Sequence, residues 1–219
     1  MLRSTHSFVL SLPIFFSVLV SAPGSTGEPG ANPLDPAGED LSRIEYPSLN
    51  AVPWEPRFIR PHETLESLFG DDWVTVARFN RIDRRHTYPG MTIKVPVNMG
   101  KARSYSPLPP FYEPARDHAR YILVSRSEQW IGAYEYGRLK FSLPAATGKE
   151  GHETPVGVFR VDARHRPHTS SLYTTDNGED QYPMDYAFRF HIGPDGVSYW
   201  IHSRDLPGKP ASHGCVGVY

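Results

Sequence analysis

Two proline- and glycine-rich stretches constrain most strongly what this chain of 219 residues can fold into, because they separate its patterned segments. Residues 23–57 hold seven prolines and four glycines, few large apolar residues and no hydrophobic period. Residues 98–119 contain four prolines, a composition that favours extended polyproline II chain. We therefore interpret both as linkers, which leaves residues 58–97 and 120–219 as the segments able to build a core.

The composition allows a core and excludes one class of partner. Hydrophobic residues make up 39% of the chain, which is enough for one or two modest domains. Nucleic-acid binders carry a basic surface, whereas this chain has a formal net charge of −1. We therefore expect no nucleic-acid partner.

The N-terminus has the order of a secretory signal peptide. One positive charge in Met1–Arg3 is followed by an apolar run over Phe8–Val20 and by the small residues Ser21 and Ala22. Pro13 and the short length argue against a spanning helix, which needs about 20 apolar residues. We predict a signal peptide over residues 1–22 and set it aside from the fold. We expect an exported protein of the periplasm or cell envelope, with no stable membrane span after signal removal.

Residues 58–97 carry the pattern of a small strand, helix, helix, strand unit. Apolar residues recur at helical spacing in two short runs, and Met91–Pro96 alternates like a strand. Thr64-Leu65, Phe79-Asn80 and Pro89–Pro96 make the segment resemble a LysM module, although Pro61–Glu63 replaces the family's usual Gly-Asp pair. The resemblance implies binding of N-acetylglucosamine-containing glycans. The alternative is a structural subdomain that binds nothing.

Residues 120–219 are predicted to be mostly β. Six apolar runs are separated by turn signals, which favours a β-sandwich or barrel-like assembly. No long amphipathic helix is indicated. The candidate strands are Tyr121–Val124, Gln129–Tyr136, Leu139–Leu143, Val158–Val161, Tyr186–Ile192 and Ser198–His202.

The one cysteine of the chain, Cys215, has a sequence context suited to nucleophilic chemistry. It follows Gly214, which lets a carbonyl group approach, and a strand ending in His202 lies thirteen positions upstream. An adjacent imidazole raises the thiolate fraction of a cysteine at neutral pH. Backbone N–H groups around Gly214 and Cys215 could hold an oxyanion, a contribution of roughly 3–4 kcal/mol per donor.

Several motifs make residues 120–219 resemble the catalytic domain of L,D-transpeptidases, the YkuD-domain enzymes. The family pattern is a strand-end His, a loop, and Ser/Thr-His-Gly-Cys. The matching residues are His202, Ser212–Cys215, Ala146–Lys149, Thr154–Phe159, Tyr182–Met184 and Tyr186–Phe190. The fold implied is therefore a β-sandwich or barrel-like YkuD catalytic domain preceded by a small βααβ LysM domain.

The resemblance also implies roles and a reaction. Cys215 would be the nucleophile, His202 the general base, and the Ser203 carbonyl would orient the imidazole. Cys215 would release D-alanine from a peptidoglycan stem tetrapeptide and pass the acyl group to an amine, forming a 3→3 cross-link in cell wall biogenesis. Carbapenems acylate enzymes of this family. The residues expected to contact substrate are Ser212, His213, Tyr186 and Arg189.

We expect peptidoglycan stem peptides and glycan strands as partners, no cofactor, no metal and a monomer. Three departures from the family pattern bear on activity. Ser203 stands where the family often has Gly, Gly217 stands where it has Arg or Asn, and the chain ends four residues after Cys215. Because family domains normally continue, we expect the catalytic domain to be truncated at its C-terminus.

Other functions stay open. Water as acceptor would give an L,D-carboxypeptidase, and an inactive β-domain would leave a peptidoglycan-binding protein. A zinc site could use His202, His213 and Cys215, or the pair His165 and His168. Since no His-Glu-x-x-His motif is present, we favour the nucleophile over zinc.

Overall fold

The computed structural model describes residues 46–48, 50–175 and 178–219, together with the backbone of Phe15–Leu19. This part of the chain is mainly β, as predicted. Its three short helices are α1 (Leu65–Phe69), α2 (Trp73–Phe79) and α3 (Met99–Arg103). Its strands are β1 (Phe15–Leu19), β2 (Trp54–Phe58), β3 (Thr92–Pro96), β4 (Tyr121–Ser125), β5 (Trp130–Glu135), β6 (Arg138–Ala146), β7 (Gly157–Arg160), β8 (Ala163–His165), β9 (Thr169–Thr174), β10 (Gln181–Pro183), β11 (Ala187–Ile192), β12 (Ser198–Ser203) and β13 (Val216–Val218).

One mixed sheet of nine strands dominates the described residues, in the order β7-β1-β4-β5-β6-β13-β12-β11-β8. The sheet is curled, since β7 at one edge contacts β11 near the other. The rings of Phe159 and Phe190 lie 5.5 Å apart across this closure. Burial of apolar side chains inside the curl drives its formation. Its buried core comprises Val124, Ile131, Ala145, Phe190, Ile201 and Val216.

Strand β1 lies within the segment that the sequence analysis set aside as a signal peptide. Its backbone pairs in parallel with β4 and antiparallel with β7. An apolar run rich in aromatic and β-branched residues also has strand propensity, so composition alone does not keep it out of a sheet. The signal peptide stays a prediction. Most of residues 1–22 and of the 23–57 stretch lie outside the described residues.

Residues 98–119, interpreted from the sequence as an extended linker, pack against the sheet instead. Asn98 caps α3, because its side chain accepts a hydrogen bond from the Lys101 N–H. Leu108 and Ala115 are buried with residues of β4 and β5. Buried apolar residues therefore fix residues 98–119 to the sheet.

Residues 54–96 form a unit with a core of its own. Strands β2 and β3 pair antiparallel, and α1 and α2 lie between them in the chain. Thr64 begins α1 with a capping box, in which Thr64 and Ser67 exchange side-chain to backbone hydrogen bonds. The core of the unit is Ile59, Leu65, Val76, Ala77, Ile82 and Ile93. Its identity as a LysM module stays a prediction.

A fully buried arginine joins this unit to the sheet. The Arg81 Nε donates to the Glu128 carbonyl at 3.1 Å, and its Nη2 lies 3.3 Å from the Glu128 carboxylate. The guanidinium carbon stands 4.6 Å from the centroid of the Trp130 ring. Because each contact bridges two regions far apart in sequence, Arg81 fixes the unit on the sheet.

A second contact joins the unit to the loop after β12. The Asp83 N–H donates to the Leu206 carbonyl, and the Leu206 N–H donates to the Asp83 carboxylate at 2.7 Å. Burial raises the pKa of Asp83, but the hydrogen bonds from Leu206, His86 and Arg85 outweigh it and lower that pKa overall. The N-terminal unit therefore holds the loop that follows β12, the strand on which His202 lies. In the described part of the chain, no helix has the length and apolar character that crossing a membrane requires.

Candidate active site

Neighbouring parallel strands bring His202 and Cys215 to one place. His202 lies on β12, whose neighbour β13 starts directly after Cys215, and the two strands pair with His202 opposite Gly217. Both side chains line the same cavity, of about 200 Å³. We name it the base-side cavity. The thirteen-residue separation in sequence is thus closed by sheet pairing.

The environment of His202 favours a neutral imidazole. Its Nδ1 lies 2.8 Å from the Ser203 carbonyl, which can only accept, so Nδ1 carries the proton and Nε2 the lone pair. Burial lowers the pKa of His202 to about 4, against the opposing effect of the Ser203 carbonyl. At neutral pH His202 is therefore an unprotonated base, oriented through the carbonyl that the sequence analysis proposed.

Cys215 is partly exposed and packs beside Met184, Ala187 and Trp200. Burial raises the pKa of its thiol, and the Trp200 backbone and the charge of Arg204 offset this only in part. The resting pair is therefore a neutral thiol and a neutral imidazole. Such a thiol needs a base to accept its proton as it attacks, and His202 lines the same cavity.

A tight turn presents Cys215, and Ser212 is built into it. The Ser212 hydroxyl donates to the Cys215 carbonyl at 2.6 Å and accepts from the Gly214 N–H at 3.0 Å. The Gly214 N–H, a candidate oxyanion donor from the sequence, is thus engaged in this conformation. The Cys215 N–H has no hydrogen-bond partner among the described residues and is the available donor. Ser212 is buried, so its contacts serve the turn.

Gly214 is required by backbone geometry and by a neighbouring ring. Its φ of +108° lies in the left-handed region, and a Cβ at this position would stand 2.5 Å from Cε1 of Tyr199. The sequence analysis assigned Gly214 to substrate approach. The structure shows a second reason for glycine at this position, because only a residue without a side chain lets the turn pack against Tyr199.

Cys215 stands between two cavities beneath the β9–β10 hairpin. Besides the base-side cavity, a cavity of about 300 Å³ is lined by His168, Asp195 and Trp200. We name it the acid-side cavity. His213 lines both, and its ring stacks on Tyr173 of β9 at 4.6 Å. Residues of the hairpin therefore line both cavities beside Cys215.

Two residues expected to contact substrate lie elsewhere. Tyr186 is exposed, with the Arg166 guanidinium 4.5 Å from its ring centroid. Arg189 is bound to Asp162 through two contacts, of 2.9 and 3.3 Å. Neither side chain lines the two cavities at Cys215. Arg189 is committed to a surface ion pair, which a strand pattern alone does not reveal.

Several cavity residues were missed in the sequence. Trp200 was accessible to prediction, because it precedes His202 by two positions and so shares its strand face. Tyr173 and Arg204 carried no such signal, since the hairpin and the loop place them through tertiary packing, whereas Tyr182 belongs to the Tyr182–Met184 motif that matched the family.

The side chains proposed for zinc are not grouped as a ligand set. Among the described residues, the cluster with metal-ligand spacing is Asp83, His86 and Asp205. The Asp83 carboxylate there already accepts hydrogen bonds from the Leu206 and Arg85 N–H groups. This cluster therefore serves the contact between the N-terminal unit and the loop. His165 and His168 form a pair with Nδ1 atoms 3.0 Å apart.

A comparison with known protein families gives a match for the part of the chain that holds this site. Residues 119–219 match the YkuD family, the L,D-transpeptidase catalytic domain. The match includes His202, Cys215 and both cavities, but leaves out the N-terminal unit. No curated protein matches the chain.

Solved L,D-transpeptidases are similar to the chain over about half of their own length. L,D-transpeptidase 3 from Mycobacterium tuberculosis, in complex with a faropenem-derived adduct, is 24% identical over 46% of this chain and 51% of that one, with a TM-score of 0.36. An L,D-transpeptidase from Stackebrandtia nassauensis is 20% identical over 53% of this chain and 51% of that one, with a TM-score of 0.39.

Proposed function

We propose that the chain is a peptidoglycan L,D-transpeptidase that uses Cys215 as nucleophile and His202 as general base. The observation that carries this proposal is the shared cavity, in which a neutral, oriented imidazole accompanies the one thiol of the chain. The match of residues 119–219 to the catalytic domain supports it. Because that family acts on the cell wall, the working location is extracytoplasmic.

The first half-reaction makes a thioester. As Sγ of Cys215 attacks the carbonyl before the terminal D-alanine, Nε2 of His202 takes the thiol proton. The carbonyl π electrons move to oxygen, where the Cys215 N–H can donate to the developing charge. The oxyanion then collapses, the C–N bond breaks, and the imidazolium gives its proton to the leaving amine of D-alanine.

The second half-reaction returns the enzyme. An amine of a neighbouring stem attacks the thioester carbonyl and loses a proton to His202. The C–S bond breaks as the new amide forms, and the proton passes back to the Cys215 thiolate. Water in place of the amine would give a tripeptide, so the acceptor decides between cross-linking and trimming.

Incubation of the full chain with a stem tetrapeptide tests this proposal. Mass spectrometry should show a dimer that has lost one D-alanine, with one equivalent of free D-alanine. A tripeptide alone would assign the chain as a carboxypeptidase. Release of no D-alanine by the folded protein would contradict the acyl-transfer mechanism, as would undiminished release by Cys215→Ala. The control variant is Arg164→Met, which replaces an exposed arginine that lines neither cavity.

We propose further that residues 58–97 act as a LysM-like glycan-binding module. The strand, helix, helix, strand order and the antiparallel β2–β3 pair support this proposal. The Cys215→Ala chain should sediment with insoluble peptidoglycan, and soluble N-acetylglucosamine oligomers should release it. Sedimentation that such oligomers do not reduce would assign the binding to stem peptides and contradict a glycan site.

A further inference from the structure

The two cavities at Cys215 differ in charge. Among the described residues, Arg204 is the one lysine or arginine that lines the base-side cavity, and no carboxylate lines it. The acid-side cavity has the Asp195 carboxylate and neither lysine nor arginine. An anionic group is therefore favoured on the side of Cys215 where His202 lies.

The packing of Arg204 leaves most of its donors unused. Its Nη2 donates to the Ala211 carbonyl at 3.3 Å, whereas Nε is buried without a hydrogen-bond acceptor among the described residues. Its ion pair with Asp205 is long, at 3.7 Å. A guanidinium has five N–H donors, and a buried donor without an acceptor costs free energy. The Arg204 side chain stays half-buried, and its Nη1 group has no hydrogen-bond partner among the described residues, so an additional anion can bind there.

Gly217 makes the room for this side chain. A Cβ at position 217 would lie 2.8 Å from both Cβ and Cδ of Arg204, so the aliphatic part of the arginine rests on the backbone of β13. The Arg204 N–H donates to the Val218 carbonyl at 2.7 Å, which anchors the residue at the end of β12. Its charge reaches the reacting groups, since Arg204 lowers the pKa of Cys215 and of His202.

The proposed reaction brings an anion, the carboxylate of the leaving D-alanine, to the base-side cavity. His202 protonates the leaving amine, so the nitrogen of D-alanine departs into the base-side cavity. The carboxylate carbon of an α-amino acid is two bonds from its nitrogen, which places it within about 2.5 Å. This carboxylate therefore comes to the side of Cys215 that Arg204 lines.

We propose that Arg204 binds the C-terminal carboxylate of the peptide that is cleaved, and so selects substrates whose leaving group is a free amino acid. This inference rests on the function proposed above and names the group by which its site recognises substrate. Charge-assisted hydrogen bonds from a planar guanidinium are among the strong ones in proteins. The loss of this contact should weaken binding by about 10- to 100-fold.

Calorimetric titration of the inert Cys215→Ala chain tests the proposal without requiring turnover. The tetrapeptide with a free carboxylate should bind about 10- to 100-fold more tightly than the same peptide with a C-terminal amide. The double variant with Arg204→Met should bind both peptides with the affinity of the amide. A double variant with Arg164→Met should keep the preference, because that arginine lines neither cavity.

Two results would overturn the assignment. One is equal binding of acid and amide by Cys215→Ala, a comparison that needs no second variant and so does not depend on how Arg204→Met folds. The other is an unchanged preference in folded Arg204→Met. Failure of the wild-type chain to release D-alanine would instead count against the proposed function, so the two failures are distinguishable.

Discussion

Arg81 at the interface and the pair of His202 and Cys215 at the candidate site differ in how far their hydrogen-bonding groups are paired. At the interface, Arg81 has partners in Glu128, the Phe79 carbonyl and an aromatic ring. At the site, the Nε2 of His202 and the N–H of Cys215 have no hydrogen-bond partner among the described residues. The paired groups of Arg81 hold two parts of the structure together, whereas the unpaired groups of His202 and Cys215 can interact with a substrate.

The largest effect on stability should come from breaking the interface. Arg81→Met leaves the Glu128 carboxylate without its buried partner and should destabilise the fold by about 3–5 kcal/mol. Arg103→Met removes an exposed ion pair with Asp72 and should cost under about 1 kcal/mol. Urea unfolding of both variants measures the difference. Equal losses would show that Arg81 has no special part in joining the unit to the sheet.

The stability of the fold should depend on pH because of His202. The pKa of His202 is lowered from 6.5 to about 4, so the unfolded chain binds a proton more readily than the folded one. Stability from this residue is therefore full above about pH 6.5 and falls progressively towards pH 4, by about 3 kcal/mol in total.

Urea melts at pH 7.5, 5.5 and 4.5 check this dependence. His202→Gln cannot titrate, so its stability should fall less over the same range than that of the wild-type chain. Parallel pH curves for the two proteins would show that His202 is not buried as a neutral imidazole.

A smaller loss of stability should come from replacing Gly214, which is constrained both by its φ and by contact with the Tyr199 ring. Gly214→Ala meets both an unfavourable φ and the Tyr199 ring, and should cost about 2–3 kcal/mol. Gly151→Ala has a similar φ of +76° but no atom within 4 Å of its Cβ, and should cost about 1 kcal/mol. Thermal melts of the two variants give the difference. If they destabilise equally, contact with Tyr199 does not constrain the turn.

Features that short sequence motifs encode could be predicted from the sequence. Ser212–Cys215 and the strand-end His202 predicted that the candidate nucleophile and the candidate base would be neighbours, and in the structure both residues line the base-side cavity. The expectation that residues 120–219 are mainly β is confirmed, since alternation and turn residues are spread along this segment.

What could not be predicted depends on long-range packing. The sequence does not show that Arg81 is buried against Glu128 and Trp130. It also does not show that Arg189 is paired with Asp162 and so is not free to contact substrate. The prolines of residues 98–119 predicted an extended linker, but apolar side chains of this segment pack against the sheet. Contacts between residues far apart in sequence decided each case.

Acylation of Cys215 by a carbapenem, followed by intact-mass spectrometry, tests the central claim most directly. We predict one adduct, mapped to Cys215, and a rate at pH 7 that falls about 10²- to 10⁴-fold in His202→Gln, the usual contribution of a general base. The Cys215→Ala chain should form none. An adduct that persists in Cys215→Ala, or one that forms as fast in His202→Gln as in the wild-type chain, would contradict a thiol activated by the neutral His202 imidazole.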